Sequence, residues 1–303
     1  MKPCISVNLC GIDLNSPTIL AAGVLGISSE TMKRVFDSGA GAVVTKSTGL
    51  DARSGHPGPN IVETHSGLLN AMGLPNPGIE QMSTEIKKLR NLGIPAIASV
   101  YGFSPEEYAE VARAACSAGA SAVEVNVSCP NIGRVGCEIG QDPEMVGKVT
   151  RAVTTEVDRP VFVKLSPNVT DIVDIGKAAE RSGADGLTAI NTLSSMVIDI
   201  NVKKPVLGAR KGGLSGPAIK PIAVRCVYDL YEAVKIPIIG CGGIVSWKDS
   251  IEFFLAGASS VQIGTGIIYR NFAVFREVNR GLISYMDRSG IEELKELIGL
   301  AHR

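Results

Sequence analysis

Seven residues, Val125-Asn126-Val127-Ser128-Cys129-Pro130-Asn131, put a thiol just past an apolar run, Ser121 to Val127. Such a run reads as a buried parallel strand, and the polar residues follow its C-terminal end. In barrels of alternating strands and helices, active sites gather at that end. A cysteine there, flanked by Asn126, Ser128 and Asn131, suits proton transfer. Its plain alternative is a small buried hydrophobe, the commonest fate of a free cysteine.

Two glycine turns come late in the chain: Ile239-Gly240-Cys241-Gly242-Gly243-Ile244 and Ile263-Gly264-Thr265-Gly266. Backbone N–H groups at such turns, on consecutive strands, suit a phosphate whose oxygens need a close approach; sharp bends also use glycine. Lys46 and Lys164 each close an apolar strand. A lysine there needs an anion or a ring acceptor unless it reaches the rim by its stem. Beside an electron-accepting ring, an ammonium stabilises the charge that arrives with hydride. Asn70, Asn126, Asn131 and Asn191-Thr192 add amides suited to a flat edge of alternating N–H and C=O groups. Singly they read as turn or cap residues. The backbone around Met72, Gly73 and Leu74 is placed to hold a carboxylate.

Composition narrows the classes. The 303 residues carry no net charge, 45% are hydrophobic and 20% charged, which fits a well-filled core and argues against nucleic acid or a polybasic membrane contact. Scarce aromatics (5%) argue against base-stacking surfaces. The N-terminal residues show no signal-peptide run and no segment is apolar enough to span a bilayer, so the expectation is a cytoplasmic protein. Seven cysteines without a C-x-x-C pair, and three histidines, give no zinc or iron–sulfur ligand pattern.

The elements that must position these groups alternate almost to the end. Apolar runs predict strands near Thr18–Ala22, Ala42–Lys46, Ala96–Val100, Ala122–Val127, Val161–Leu165, Gly186–Ile190, Ile236–Gly240 and Ser260–Ile263. Amphipathic stretches predict helices at Ser29–Ser38, Gly78–Asn91, Pro105–Ala118, Asp142–Val157, Val169–Ser182, Pro217–Val234 and Ser246–Ala256. Ser104-Pro105 is an N-cap with proline in the first turn. Ser38-Gly39-Ala40, Ala118-Gly119-Ala120, Ser182-Gly183-Ala184 and Ala256-Gly257-Ala258 repeat one helix exit, with glycine as the left-handed terminator. Eight strands point to a (β/α)8 TIM barrel over an open doubly wound sheet, because no GxGxxG follows the first strand. Without a linker, 1–303 reads as one domain. Ile5–Leu14 reads as an N-terminal β-hairpin closing the barrel floor. Two long connections, Lys46 to Pro77 and Asn191 to Gly216, the latter with an alternating piece at Met196–Val202, are insertions expected to build the site.

Taken in order, NAMGLPNPG (Asn70–Gly78), NVSCPN (Asn126–Asn131), KLSPNVTDI (Lys164–Ile172), NTL (Asn191–Leu193), GGLSGPAIKP (Gly212–Pro221), GCGGI (Gly240–Ile244) and IGTG (Ile263–Gly266) resemble the FMN-containing dihydroorotate dehydrogenases across nearly the whole chain. The resemblance implies oxidation of (S)-dihydroorotate to orotate in pyrimidine synthesis, with Cys129 as the base. A cysteine base is similar to the soluble class. KLSPNVTDI and GGLSGPAIKP resemble its NAD-linked form, whose partner subunit carries FAD and a 2Fe–2S cluster in a heterotetramer around a homodimeric core. A fumarate-linked enzyme or a dihydropyrimidine dehydrogenase-like flavin oxidoreductase is the alternative.

By the same resemblance, FMN would meet Ala22, Lys46, Ser47, Ser99, Asn126, Lys164, Ile190, Gly216, Gly242, Gly243, Gly264 and Thr265. The substrate would meet Lys46, Asn70, Ala71, Met72, Gly73, Leu74, Asn126, Asn191 and Thr192. Ala22 stands where the family commonly has serine and Ser99 where it has asparagine. A lost or shortened cofactor hydrogen bond is expected at each, costing about 0.5–1.5 kcal/mol. The loop with Arg134 and Cys137 has no counterpart in the pattern.

Overall fold

The computed structural model describes residues 3–127 and 139–303. Eight strands, β1 (Thr18–Leu20), β2 (Ala42–Val44), β3 (Ala96–Val100), β4 (Ala122–Asn126), β5 (Val161–Leu165), β6 (Gly186–Ala189), β7 (Ile238–Cys241) and β8 (Ser260–Ile263), pair in parallel and in chain order. β8 returns to β1, with Val261 opposite Thr18 and Ile263 opposite Leu20, so the barrel is closed. All eight lie on the expected runs, each within a few residues, and their side chains are almost wholly buried, as strands covered on both faces must be.

Helices α1 (Ser29–Asp37), α2 (Ile79–Asn91), α3 (Pro105–Ala118), α4 (Pro143–Glu156), α5 (Ile172–Arg181), α6 (Lys220–Ala233) and α7 (Trp247–Leu255) pack outside, as their amphipathic patterns require. An eighth, α8 (Ala273–Ser289), completes the ring, burying Val274, Phe275, Val278, Leu282 and Met286. Caps fix several starts: Ser104 Oγ accepts from Glu107 N at 3.3 Å, and Asp142 and Asp171 cap α4 and α5 through their carboxylates. The four glycine exits all hold positive φ, from 94° to 113°, where an L side chain is strained.

Every second strand residue points to the axis. At the bottom, Ile19, Ile97, Phe162 and Ile239 pack with Ala42, Val44 and Ala122. Gly186 makes room for the Phe162 ring, since a Cβ there would sit 2.7 Å from Cδ1. Higher up, by the same alternation, come Glu124, Thr188 and Gln262 from even strands, then Ser99, Lys164 and Cys241 from odd ones. The interior therefore turns from hydrocarbon to polar along its length.

The floor is covered as expected: Val7–Leu9 pairs antiparallel with Ile12–Leu14, and Leu9 and Leu14 pack on Ile19. Cys10 and Gly11 turn between them with φ 52° and 88°, both left-handed, as a two-residue hairpin turn needs. The opposite end holds what the sequence did not reveal. The two long connections join in one antiparallel sheet, in the order Leu193–Ser195, Gly212–Ser215, Gly67–Asn70, Ile61–Thr64. Gly213 has to be glycine there, because a Cβ would fall 2.0 Å from Thr192 Oγ1. Of the alternating piece Met196–Val202, only Ile198–Asp199 is strand, paired with Lys204–Pro205.

Gly257→Ala and Gly11→Ala separate backbone strain from crowding. A Cβ at Gly257 would lie 2.2 Å from Tyr231 Cγ, whereas one at Gly11 meets nothing within 4 Å. Gly11→Ala should cost about 1 kcal/mol of unfolding free energy and Gly257→Ala roughly 2–4 kcal/mol, read from urea denaturation. Equal losses would refute the crowding argument.

Candidate active site

A cavity of about 400 Å³ opens at the C-terminal ends of the strands, within the size range of small-molecule sites. At one end, bare backbone forms its wall. Gly242 (φ 131°) and Gly243 (φ 82°) follow β7, Gly264 and Thr265 follow β8, and Gly216 approaches from the roof sheet. A Cβ on Gly243 would come within 2.7 Å of Lys220 Cβ and 2.9 Å of Gly216 O, so the turn closes only with glycine. A Cβ on Gly264 would meet only Ala21 Cβ, at 3.5 Å, and would otherwise occupy free space. Thr265 Oγ1 and Ser215 Oγ lie 2.7 Å apart beside this wall. Exposed main chain of this kind fits a phosphate.

The remaining wall comes from several strand ends. Ala22, Lys46, Ser47, Asn126, Lys164 and Ile190 all line the cavity, and so do Asn70, Met72, Gly73, Leu74, Asn191 and Thr192 from the connections. Asn126 Nδ2 donates to Ser47 Oγ at 3.0 Å, and Asn126 Oδ1 accepts from Asn191 Nδ2 at 3.3 Å. Asn191 Oδ1 in turn accepts from Thr192 N at 2.8 Å, and Asn70 Nδ2 donates to Gly213 O at 3.2 Å. The segment carrying Met72 is clamped from outside: His56 N donates to Met72 O, while Arg53 and Asn76 exchange backbone bonds.

Two expected wall residues are not on the wall. Ser99 sits one layer behind, its Oγ 2.8 Å from Ser47 Oγ, so it reaches the cavity only through Ser47 and Asn126. Ala71 is fully buried against Leu69 and Leu207 beneath the roof sheet. Cys129, Ser128, Asn131, Arg134 and Cys137 lie outside the described residues.

At the floor of the cavity, the anion that a lysine in an apolar strand needs is supplied by the chain itself. Lys164, 5% exposed, donates from Nζ to Glu124 Oε1 at 3.3 Å and to Gln262 Oε1 at 3.0 Å. Glu124 Oε2 accepts from Gln262 Nε2 at 2.6 Å and from Thr188 Oγ1 at 3.0 Å. Burial works to remove the lysine's proton, but Glu124, and after it Cys241, outweigh this, leaving Lys164 above the ordinary lysine range. The Cys241 thiol, on the cavity wall, is pushed up by burial against the pull of Lys164. Glu124, Thr188 and Gln262 were missed. Their signal was a polar residue between apolar neighbours at an axis-facing position of three buried strands, in Ala122-Val-Glu-Val-Asn, Gly186-Leu-Thr-Ala and Ser260-Val-Gln-Ile.

A larger groove, about 1010 Å³, runs between α3, α4 and α5 on the outside. It is edged by charged residues such as Glu110, Arg113 and Lys148 and has no residue in common with the barrel mouth. We place the chemistry at the mouth, where buried charge and open backbone coincide.

Residues 4–286 match the family model described as dihydroorotate dehydrogenase. The chain is 50% identical over 299 residues to the dihydroorotate dehydrogenase B (NAD(+)), catalytic subunit, of Methanocella arvoryzae, covering 99% of this chain and 98% of that one. It is 49% identical over 297 residues to the protein of the same name from Pyrococcus abyssi, covering 98% and 99%. Its fold is similar to that of a dihydroorotate dehydrogenase from Eimeria tenella, crystallised with ferulenol, with a TM-score of 0.86 at 24% identity over 99% of this chain and 89% of that one.

Removing one member of the floor network should cost more than removing the pair. Glu124→Leu strands a buried ammonium and should lower the unfolding free energy by roughly 3–5 kcal/mol; adding Lys164→Met should recover a large part of it. Chemical denaturation of the two variants decides, and a double variant less stable than the single would contradict the pairing.

Proposed function

The chain belongs to the dihydroorotate dehydrogenase family, and from that membership we propose that it oxidises (S)-dihydroorotate to orotate for pyrimidine synthesis, with FMN held at the barrel mouth. One observation carries the reading: a bare-backbone cradle, a buried ammonium and a set of amides open on a single cavity. Bound FMN supplies a two-electron acceptor for hydride. The chain's own share is binding, orientation and removal of a proton.

In this reading Gly216, Gly242, Gly243, Gly264 and Thr265 hold the phosphate, where main-chain donors can approach its oxygens. Lys46, Lys164, Ser47, Asn126, Ala22 and Ile190 border the ring, and the lysine charges favour the electron pair that arrives there. Ser99 acts at second hand, by setting the Ser47 hydroxyl. Dihydroorotate is held by Lys46, Asn70, Asn126, Asn191 and Thr192 along its N–H and C=O edge. The segment Met72–Leu74 presents main chain to its carboxylate, and Ala71, buried under the roof sheet, only supports it. Oxidation removes a proton from one ring carbon and a hydrogen with its bonding pair from the next, leaving a C=C bond. Cys129 takes the proton.

The names of the relatives, a NAD(+) enzyme and a catalytic subunit, support a division of labour. Electrons leave to NAD+ through a second subunit carrying FAD and a 2Fe–2S cluster, in a heterotetramer built on a homodimeric core. Residues 1–303 form one FMN-binding domain in a cytoplasmic enzyme. Among the described residues no helix is long and apolar enough to cross a membrane.

Anaerobic addition of dihydroorotate to the FMN-loaded chain should bleach the flavin bands, and dihydrouracil, which lacks the carboxylate, should not. Equal bleaching by both would exclude the substrate assignment. Cys129→Ala should keep the yellow cofactor and lose about 10²–10⁴-fold in turnover; unchanged turnover would remove Cys129 as the base.

A further inference from the structure

The chemistry above makes no use of Glu124, although its carboxylate touches the cavity's floor cation. Glu124 has no solvent exposure and does not line the cavity, whereas Lys164 and Gln262 do. Both of its oxygens are engaged, one by Lys164 and the other by Gln262 and Thr188. Gln262 closes the ring by accepting from Lys164.

Desolvation penalises both charges of such a pair, and well-packed hydrocarbon would hold a barrel at least as firmly. The lower interior of this barrel is in fact hydrocarbon. Polar side chains begin one layer below Lys164, with Glu124, Thr188 and Gln262. The network is also directional: its buried end is the carboxylate and its cavity end is the ammonium. A lysine stem of four carbons would otherwise be free to choose among rotamers, and a buried ammonium without a counter-ion sheds its proton.

We propose that Glu124 is a positioning residue for the cavity's chemistry: through Lys164 and Gln262 it fixes where the floor ammonium sits and keeps it positive toward the ring above. The inference rests on the FMN reading of the cavity. Thr188 belongs to the same device, holding the far oxygen of the carboxylate.

The full chain, freed of flavin and titrated with FMN, tests it, together with the two-electron potential of the loaded protein. Glu124→Gln keeps the side chain's shape and an oxygen for Lys164 but removes the charge. It should weaken FMN binding at least tenfold and lower the potential toward that of Lys164→Met. The double variant should be no worse than Lys164→Met alone, because Glu124 acts through that lysine. Native affinity and potential in Glu124→Gln, with only a lower melting temperature, would overturn the inference in favour of a structural role. A raised potential would overturn it too, since Glu124 would then merely temper an ammonium that needs no support. If Glu124→Gln does not fold, Thr188→Val removes one bond to the same carboxylate at constant size. A smaller downward shift supports the inference there, and no shift overturns it. A native chain that takes up no FMN would bring down the cofactor reading and this inference together.

Discussion

At the centre of the barrel a carboxylate sealed from water accepts three hydrogen bonds, and the cation it holds points at the mouth. Four strands contribute to this ring: β4, β5, β6 and β8. Closing the barrel is what brings them together, because Gln262 and Glu124 are 138 residues apart in sequence. The ring divides the interior into an apolar lower half, which contributes stability by burial, and a polar upper half, which holds charge where water is scarce. The glycine turns after β7 and β8, Asn126 at the end of β4 and Asn191 after β6 line the same cavity as that charge.

Above it, the roof sheet brings two insertions into one surface. Asn70 and Gly213 pair across it, so the cavity-facing amide of one connection is seated by the backbone of the other. Asn126 plays the same part at the strand ends, donating to Ser47 and accepting from Asn191. Asn70 and Asn126 are thus each fixed by a neighbour from a different part of the chain. Preorganisation of this kind spares the site the entropy of ordering its groups when a ligand arrives.

Much of this was legible from one-dimensional pattern. Runs such as Val161–Leu165 can hardly be anything but buried strands. The Ser-Gly-Ala and Ala-Gly-Ala exits mark helix ends by a conformation that only glycine adopts freely. The motif positions Lys46, Asn126, Lys164, Gly242 and Gly264 do meet at one cavity, because strand ends on the same barrel face must. What failed to show was pairing. A lone Glu124 in an apolar run says that something must satisfy it, but not that Lys164, Thr188 and Gln262 do so. α8 left less signal because it starts after Phe272, with no side-chain cap and no acidic residue in its first turn to mark the boundary. The roof sheet was hidden because its strands are three or four residues long and only half buried, with little periodicity to read. Ser99 illustrates the remaining gap: its strand position was right, yet only three-dimensional contact reveals that Ser47 stands in front of it.

The roof also constrains traffic. Its inner strands, Gly67–Asn70 and Gly212–Ser215, hang from different barrel strands, one following β2 and the other β6, and are zipped together by backbone bonds. Neither insertion can swing away alone without breaking that zipper. Among the described residues, the mouth therefore has one side that yields only as a unit, both insertions together or neither.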